Sequence, residues 1–68
     1  MCEITVYIKE ANQIKDVVKD VWKLKVVENG ILCYDSLGEE TLLENTEIVE
    51  ANFVHPHELI VRKRVDNK

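Results

Sequence analysis

Turn-forming residues divide this chain into short apolar stretches, and this spacing constrains the fold more than any other feature of the sequence. Candidate turns lie at Asn29-Gly30, Ser36-Leu37-Gly38, Glu44-Asn45-Thr46 and His55-Pro56-His57. Turns that recur at intervals of about 8–12 residues are typical of a β-meander that closes into a barrel or packs as a sandwich. We therefore predict an all-β, mostly antiparallel fold of about six to seven short strands.

Two local patterns support this fold class. Apolar and more polar side chains alternate over residues 2–9, as they do in a half-buried strand. The apolar face consists of Cys2, Ile4, Val6 and Ile8. Asn29-Gly30 lies between two apolar runs, and both residues tolerate the positive φ that a type I′ hairpin turn requires. These patterns predict a first strand and a later hairpin.

The segment from residue 13 to residue 28 is ambiguous. Some of its apolar residues follow helical spacing, namely Ile14, Val17, Val18, Val21 and Trp22. However, β-branched residues crowd the segment, and apolar residues alternate with lysines from Trp22 to Val26. We therefore prefer two strands, at about residues 13–18 and 21–28, joined by a tight turn at Lys19-Asp20.

The remaining apolar stretches complete a single β domain over residues 1–64, followed by a polar C-terminal tail at 65–68. The stretch from Ile31 to Tyr34 is apolar on both faces, which implies a second layer or a partner chain. Further strands are expected at Thr41 to Leu43, Ile48 to Val54 and Leu59 to Arg64.

The length of 68 residues limits what the protein can do. A domain of this size buries only about 60% of the surface that its unfolded chain exposes, and oligomerisation is one common remedy. The sequence has no run of about 18 apolar residues, no secretion signal and no CxxC pair, so we expect a cytoplasmic protein with reduced thiols and no membrane association. It also lacks a phosphate loop, a GxSxG elbow and HExxH, so we predict a binding or carrier protein and not an enzyme.

Charge argues against nucleic acid as the main partner. The net charge is −4, and no Lys or Arg occurs between Glu28 and Glu58, a stretch that holds eight acids. An RNA-binding module is nevertheless kept as an alternative. Such a module needs clustered bases to neutralise phosphates, and the candidates are Lys9, Lys23, Lys25, Arg62, Lys63 and Arg64. A second alternative is a metal-free protein–protein adaptor that uses the two-sided strand from Ile31 to Tyr34.

Cys2 is the most informative candidate for chemistry. If Met1 is removed, the Cys2 amine and thiolate can chelate one metal ion; if Met1 is retained, its amine can join the Cys2 amide nitrogen and thiolate. Such donors suit flat, four-coordinate Ni(II) or Cu(II), and a symmetric dimer that brings two termini together would complete the coordination. The alternative is that Cys2 extends the apolar face of the first strand.

Other candidates have simpler interpretations. Cys33 lies among apolar residues and is expected to fill the core. His55 and His57 would point the same way from an extended backbone and could form a secondary metal clip, although Pro56 favours an exposed connector. The acids Asp35, Glu39 and Glu40 could hold a hard cation or merely face solvent.

Several of these motifs occur together in a known family. The Met1-Cys2 start, the hairpin from Val26 to Ile31, the turn from Asp35 to Glu40 and the closing stretch from Glu47 to His55 follow in the order seen in the CooT family. The chain resembles these small bacterial and archaeal proteins from Met1 to about Lys63, although Leu37 replaces the usual Phe of the turn.

The resemblance implies a compact β-fold and a homodimer that binds Ni(II) through Cys2 of both chains, with the amine of Met1 or Cys2 as co-donor. It also implies a metallochaperone or metal carrier associated with nickel insertion into carbon monoxide dehydrogenase. Relatives are also labelled as predicted RNA-binding proteins, but the acidic middle of this chain argues against that function.

Overall fold

A computed structural model describes residues 3–64 of the protein, and these residues form seven β-strands and no helix. The strands are β1 (Ile4–Glu10), β2 (Gln13–Val21), β3 (Lys23–Val27), β4 (Gly30–Tyr34), β5 (Glu40–Glu44), β6 (Thr46–Asn52) and β7 (Glu58–Lys63). The all-β prediction is therefore confirmed, and the helical alternative for the second stretch is wrong. The predicted tail, residues 65–68, lies outside the described residues.

The strands form two sheets, one in the order β2-β1-β7-β6 and one in the order β3-β4-β5. Every pairing is antiparallel except that of β1 with β7, which is parallel. Within residues 3–64 neither sheet closes on itself, so the barrel alternative is wrong. The single parallel pairing also departs from a meander, because it joins the first strand directly to the last.

One core lies between the two sheets, and the alternation of the strands explains its composition. β1, β4 and β7 bury alternate side chains, whereas β2 buries only its last residue. The buried set is Val6, Ile8, Val21, Ile31, Cys33, Leu59 and Val61. The predicted apolar face of β1 is confirmed for Val6 and Ile8, which are 0% and 6% exposed. Burial of such side chains stabilises the fold by about 1.5–3 kcal/mol each.

The predicted turn at Lys19-Asp20 is wrong. β2 continues through these residues to Val21, which is 1% exposed and must reach the core. The irregularity instead appears as a bulge: Val6 pairs with Val18 but Ile4 with Val21, and Asp20 has a φ of 62°. The break between β2 and β3 falls at Trp22, whose backbone N–H donates to the carbonyl oxygen of Tyr34 at 2.7 Å.

Two hairpin turns differ from the sequence prediction. The positive φ values of a type I′ turn occur at Ala11-Asn12, where no turn is predicted, and not at Asn29-Gly30, where one is. Ala11 and Asn12 join β1 to β2 with φ of 56° and 64°, the positive pair typical of a type I′ turn. At the predicted Asn29-Gly30 hairpin, Val27 instead pairs with Gly30 across a loop of Glu28 and Asn29, and of these residues only Gly30 has positive φ, at 150°. Glycine is needed there because a Cβ would lie 2.0 Å from the carbonyl oxygen of Leu43.

Candidate metal centre at the start of the first strand

Four strand ends meet at one end of the larger sheet. β1 begins there at Ile4 and β2 ends there at Val21, because the two strands are antiparallel. β7 is parallel to β1 and begins there at Glu58, and β6 is antiparallel to β7 and ends there at Asn52. We call this the N-terminal end of the sandwich, defined by Ile4, Val21, Asn52 and Glu58.

The predicted ligands Met1 and Cys2 lie outside the described residues, so their role stays a prediction. The chain immediately after them is held from both sides. Ile4 pairs with Val21 of β2, and the Thr5 N–H donates to the carbonyl oxygen of His57 at 3.2 Å. Chain connectivity alone keeps the Cα atom of Cys2 within about 7 Å of that of Ile4. Any metal bound by Cys2 is therefore bound near this end.

The segment between β6 and β7 brings both histidines to the same end. His55 is exposed and His57 is half-buried. The backbone bends at residues 54–56, so the extended segment from which both imidazoles would point the same way is absent. The predicted exposed connector fits the structure better than the predicted histidine clip.

Large apolar side chains at this end are exposed to solvent. Trp22, directly after β2, is 45% exposed, and Phe53 and Val54, directly after β6, are 74% and 73% exposed. The Trp22 indole N–H donates to Asp20 Oδ1 at 3.1 Å, which holds the ring at the surface. We call Trp22, Phe53 and Val54 the apolar rim. β2 and β6 are the two edge strands of the larger sheet, so these side chains lie on either side of the start of β1.

Sequence reasoning missed the apolar rim. Trp22 alternates with lysines and Phe53 ends an apolar stretch, so both read as ordinary strand residues. Their position near the chain start follows from the order of the strands in the sheet, and that order depends on the parallel pairing of β1 with β7.

The predicted acidic cation site is a turn stabilised by its own carboxylate. Asp35 Oδ1 accepts hydrogen bonds from the N–H groups of Leu37 and Glu39, both at 2.9 Å. The Gly38 N–H donates to the Asp35 carbonyl oxygen at 3.0 Å. Leu37 is 85% exposed, so the replacement of the family's usual Phe leaves the core unchanged.

Cys33 is a core residue, as predicted. Its side chain is 2% exposed, and burial raises the pKa of its thiol above the ordinary value. Metal ions bind the thiolate, so this environment disfavours Cys33 as a ligand. Among residues 3–64 no group of three or more His, Cys, Asp or Glu side chains is placed to hold a metal ion.

Comparison with known proteins bears on the chain as a whole. Residues 1–62 match the family model described as CO dehydrogenase accessory protein CooT. The chain belongs to the CooT family. The match includes the Met1-Cys2 start and confirms the predicted resemblance. No curated protein and no solved structure matches the chain. The CooT description is that of an accessory protein and not of the dehydrogenase itself.

The structure of this CooT protein also shows where the residues proposed for the two alternative functions, the adaptor and the RNA-binding module, are located. Ile31 and Cys33 are buried in the protein's own core, whereas Leu32 and Tyr34 on the other face of β4 are half-buried, so only that second face is left for the adaptor alternative. Of the proposed RNA-binding residues, Lys23 and Lys25 lie on β3 in the smaller sheet, and Lys23 Nζ lies 5.0 Å from the ring centroid of Tyr34. The other four bases lie on the larger sheet or directly after it. No helix in the described part of the chain is long and apolar enough to cross a membrane.

Proposed function

We propose that this CooT protein is a nickel carrier in which two copies share one Ni(II) through the Cys2 thiolate of each chain. The N-terminal amines, on Met1 or on Cys2, supply the remaining donors. Two thiolates and two nitrogens make a donor set suited to square-planar Ni(II). The recipient is carbon monoxide dehydrogenase, in keeping with the family description.

The observation that carries this proposal is the position of the apolar rim beside the chain start. A single chain offers too few donors to complete the coordination of the metal, so two chain starts must approach each other. Trp22 and Phe53 lie at the same end as Ile4 and are 45% and 74% exposed in the single chain. Buried aromatic side chains contribute strongly to association. Pairing through the rim about a two-fold axis brings both chain starts to the same interface.

The strand pairings also explain how the site is given a fixed geometry. β1 is a central strand of the larger sheet, and its first residues pair with both β2 and β7. Ligands attached to a rigid element are held more precisely than ligands on a loop. Only Glu3 separates Cys2 from the first residue of β1. Loss of the β1 pairings is therefore expected to weaken nickel binding as well as stability.

Nickel titration of three proteins tests the proposal. The native protein and Cys33→Ala are expected to develop a thiolate-to-nickel charge-transfer band that saturates at one metal ion per two chains. Cys2→Ser is expected to show no such band. Cys33→Ala is the matched control, because it removes the other thiol of the chain. Equal nickel affinity in the native protein and Cys2→Ser contradicts the proposal.

A further inference from the structure

At the end of the sandwich opposite the chain start, basic side chains surround a cleft of about 460 Å³. Lys9, Arg62, Lys63 and Arg64 all line it. They meet because β1 and β7 run in parallel, so that the basic ends of both strands lie at the same edge, with Lys9 directly in register with Arg62. The antiparallel pairing usual in this fold would have placed these groups at opposite ends of the sheet.

The cleft remains positive after the acids that line it or form an ion pair with its bases are counted. Glu10 lines it, and Glu47 forms an ion pair with Arg62 at 2.7 Å from Oε2 to Nε. Even with both carboxylates, basic groups are in excess, in a protein whose net charge is −4. Clustered like charges repel one another and attract an anionic ligand. The cleft is therefore a local exception to the charge of the molecule.

The wall of the cleft indicates what kind of anion it fits. Val49 lines it and is 49% exposed. Val49 is the extra residue of a bulge in β6, because Ile48 pairs with Val61 and Glu50 with Ile60. Bulges redirect a side chain out of the regular alternation. β6 is also an edge strand of the larger sheet, and an edge strand offers unpaired backbone groups to an extended peptide.

Nucleic acid fits this cleft less well. None of the described residues that line it is aromatic, so residues 3–64 offer no platform there on which bases could stack. We propose that the cleft formed by Lys9, Val49 and Arg62 to Arg64 binds an extended acidic peptide segment of a partner protein, with carboxylates on the bases and a side-chain methyl group on Val49. Because the cleft lies opposite the N-terminal end, it stays open in a dimer formed through the apolar rim, and its test is independent of nickel.

Fluorescence anisotropy with a labelled peptide of about six Glu-Thr repeats tests this proposal, since an extended strand of that length spans the edge of β6. We expect saturable binding that weakens with added salt, and no binding of the matched Gln-Thr peptide. The double variant Lys9→Gln with Arg64→Gln is expected to weaken binding by about tenfold. Lys19→Gln with Lys25→Gln removes the same charge from exposed positions outside the cleft and is expected to change it by less than about twofold.

Amide chemical-shift mapping locates the bound peptide, and far-UV circular dichroism confirms that the variants are folded. Shifts at Lys9, Val49 and Arg62 support the proposal, whereas shifts confined to β3 and β4 overturn it. It is also overturned if the acidic peptide does not bind, if both double variants lose affinity equally, or if an oligouridylate of similar length binds more tightly. A chain shortened to end at Arg64 tests whether the cleft is occupied by the protein's own C-terminal residues. If the peptide binds only after this shortening, residues 65–68 occupy the cleft, and the proposal of a partner segment is contradicted.

Discussion

The Thr5 N–H donates to the carbonyl oxygen of His57 at 3.2 Å and so joins the start of the first strand to the segment that precedes the last. This hydrogen bond begins the parallel pairing of β1 with β7, in which Thr5 lies opposite Glu58. Two features of the molecule depend on that pairing. It brings the segment after β6 to the chain start, and it brings the basic ends of β1 and β7 together at the opposite end.

The apolar rim gives a prediction about association. Phe53→Asp is expected to raise the dissociation constant of the proposed dimer by about thirtyfold, because it places a charge in the contact that the proposal buries. Phe53 is 74% exposed in the single chain, so the fold itself should lose no more than about 0.5 kcal/mol. Sedimentation velocity over a concentration series measures the dissociation constant.

Val26→Asp is the control for this prediction. Val26 is 67% exposed and lies on β3 near the opposite end, where it pairs with Ile31. The same substitution there should leave the dissociation constant unchanged. A dimer that tolerates Phe53→Asp but not Val26→Asp would place the interface on the smaller sheet and not at the rim.

The close approach of β5 to Gly30 gives a prediction about stability. Gly30→Ala is expected to lower the free energy of unfolding by at least about 3 kcal/mol, because its Cβ would lie 2.0 Å from the Leu43 carbonyl oxygen and the backbone φ is 150°. In Gly38→Ala the added Cβ would have no atom within 4 Å, so the only penalty is the strain of a φ of 86°. This variant should lower the free energy of unfolding by about 1–2 kcal/mol. Urea denaturation of the two variants compares these costs. Equal losses would mean that backbone conformation, and not contact with β5, requires glycine at position 30.

The buried thiol gives a prediction about pH. The pKa of Cys33 is raised in the folded state by burial, so the unfolded chain loses this proton at a lower pH than the folded protein does. The stabilising contribution is therefore complete below the unfolded pKa of about 8.5 and is lost as the pH rises toward the folded pKa. Above about pH 8.5 the free energy of unfolding should fall more steeply with pH in the native protein than in Cys33→Ala. Parallel pH profiles for the two proteins would contradict this assignment.

Local patterns in the sequence predict the strands better than they predict the turns. The alternation of β1 correctly predicts the burial of Val6 and Ile8, because side chains on a strand can only face one side or the other. Lys19-Asp20 resembles a turn, yet the strand continues through these residues with a bulge, because Val21 is buried in the core. Ala11 gives no turn signal, although it adopts a positive φ that alanine rarely takes.

The arrangement of the strands could not be predicted in the same way. Nothing local in β1 or β7 indicates that they pair in parallel, since the two strands lie at opposite ends of the chain. The basic residues Lys9 and Arg62 are visible in the sequence, but only the pairing shows that they share a cleft while Lys25 does not. Cys2 could be chosen as a candidate from its chemistry and from the family resemblance, and it lies outside the described residues.

Native mass spectrometry of the nickel-loaded protein, prepared without an affinity tag, tests the central claim most directly. The account predicts a dominant species with the mass of two chains and one nickel ion, and predicts that this species is lost in Cys2→Ser and kept in Cys33→Ala. Collisional dissociation should release the metal when the two chains separate. A single chain that carries its own nickel ion, or a Cys2→Ser dimer that keeps the metal, would contradict it.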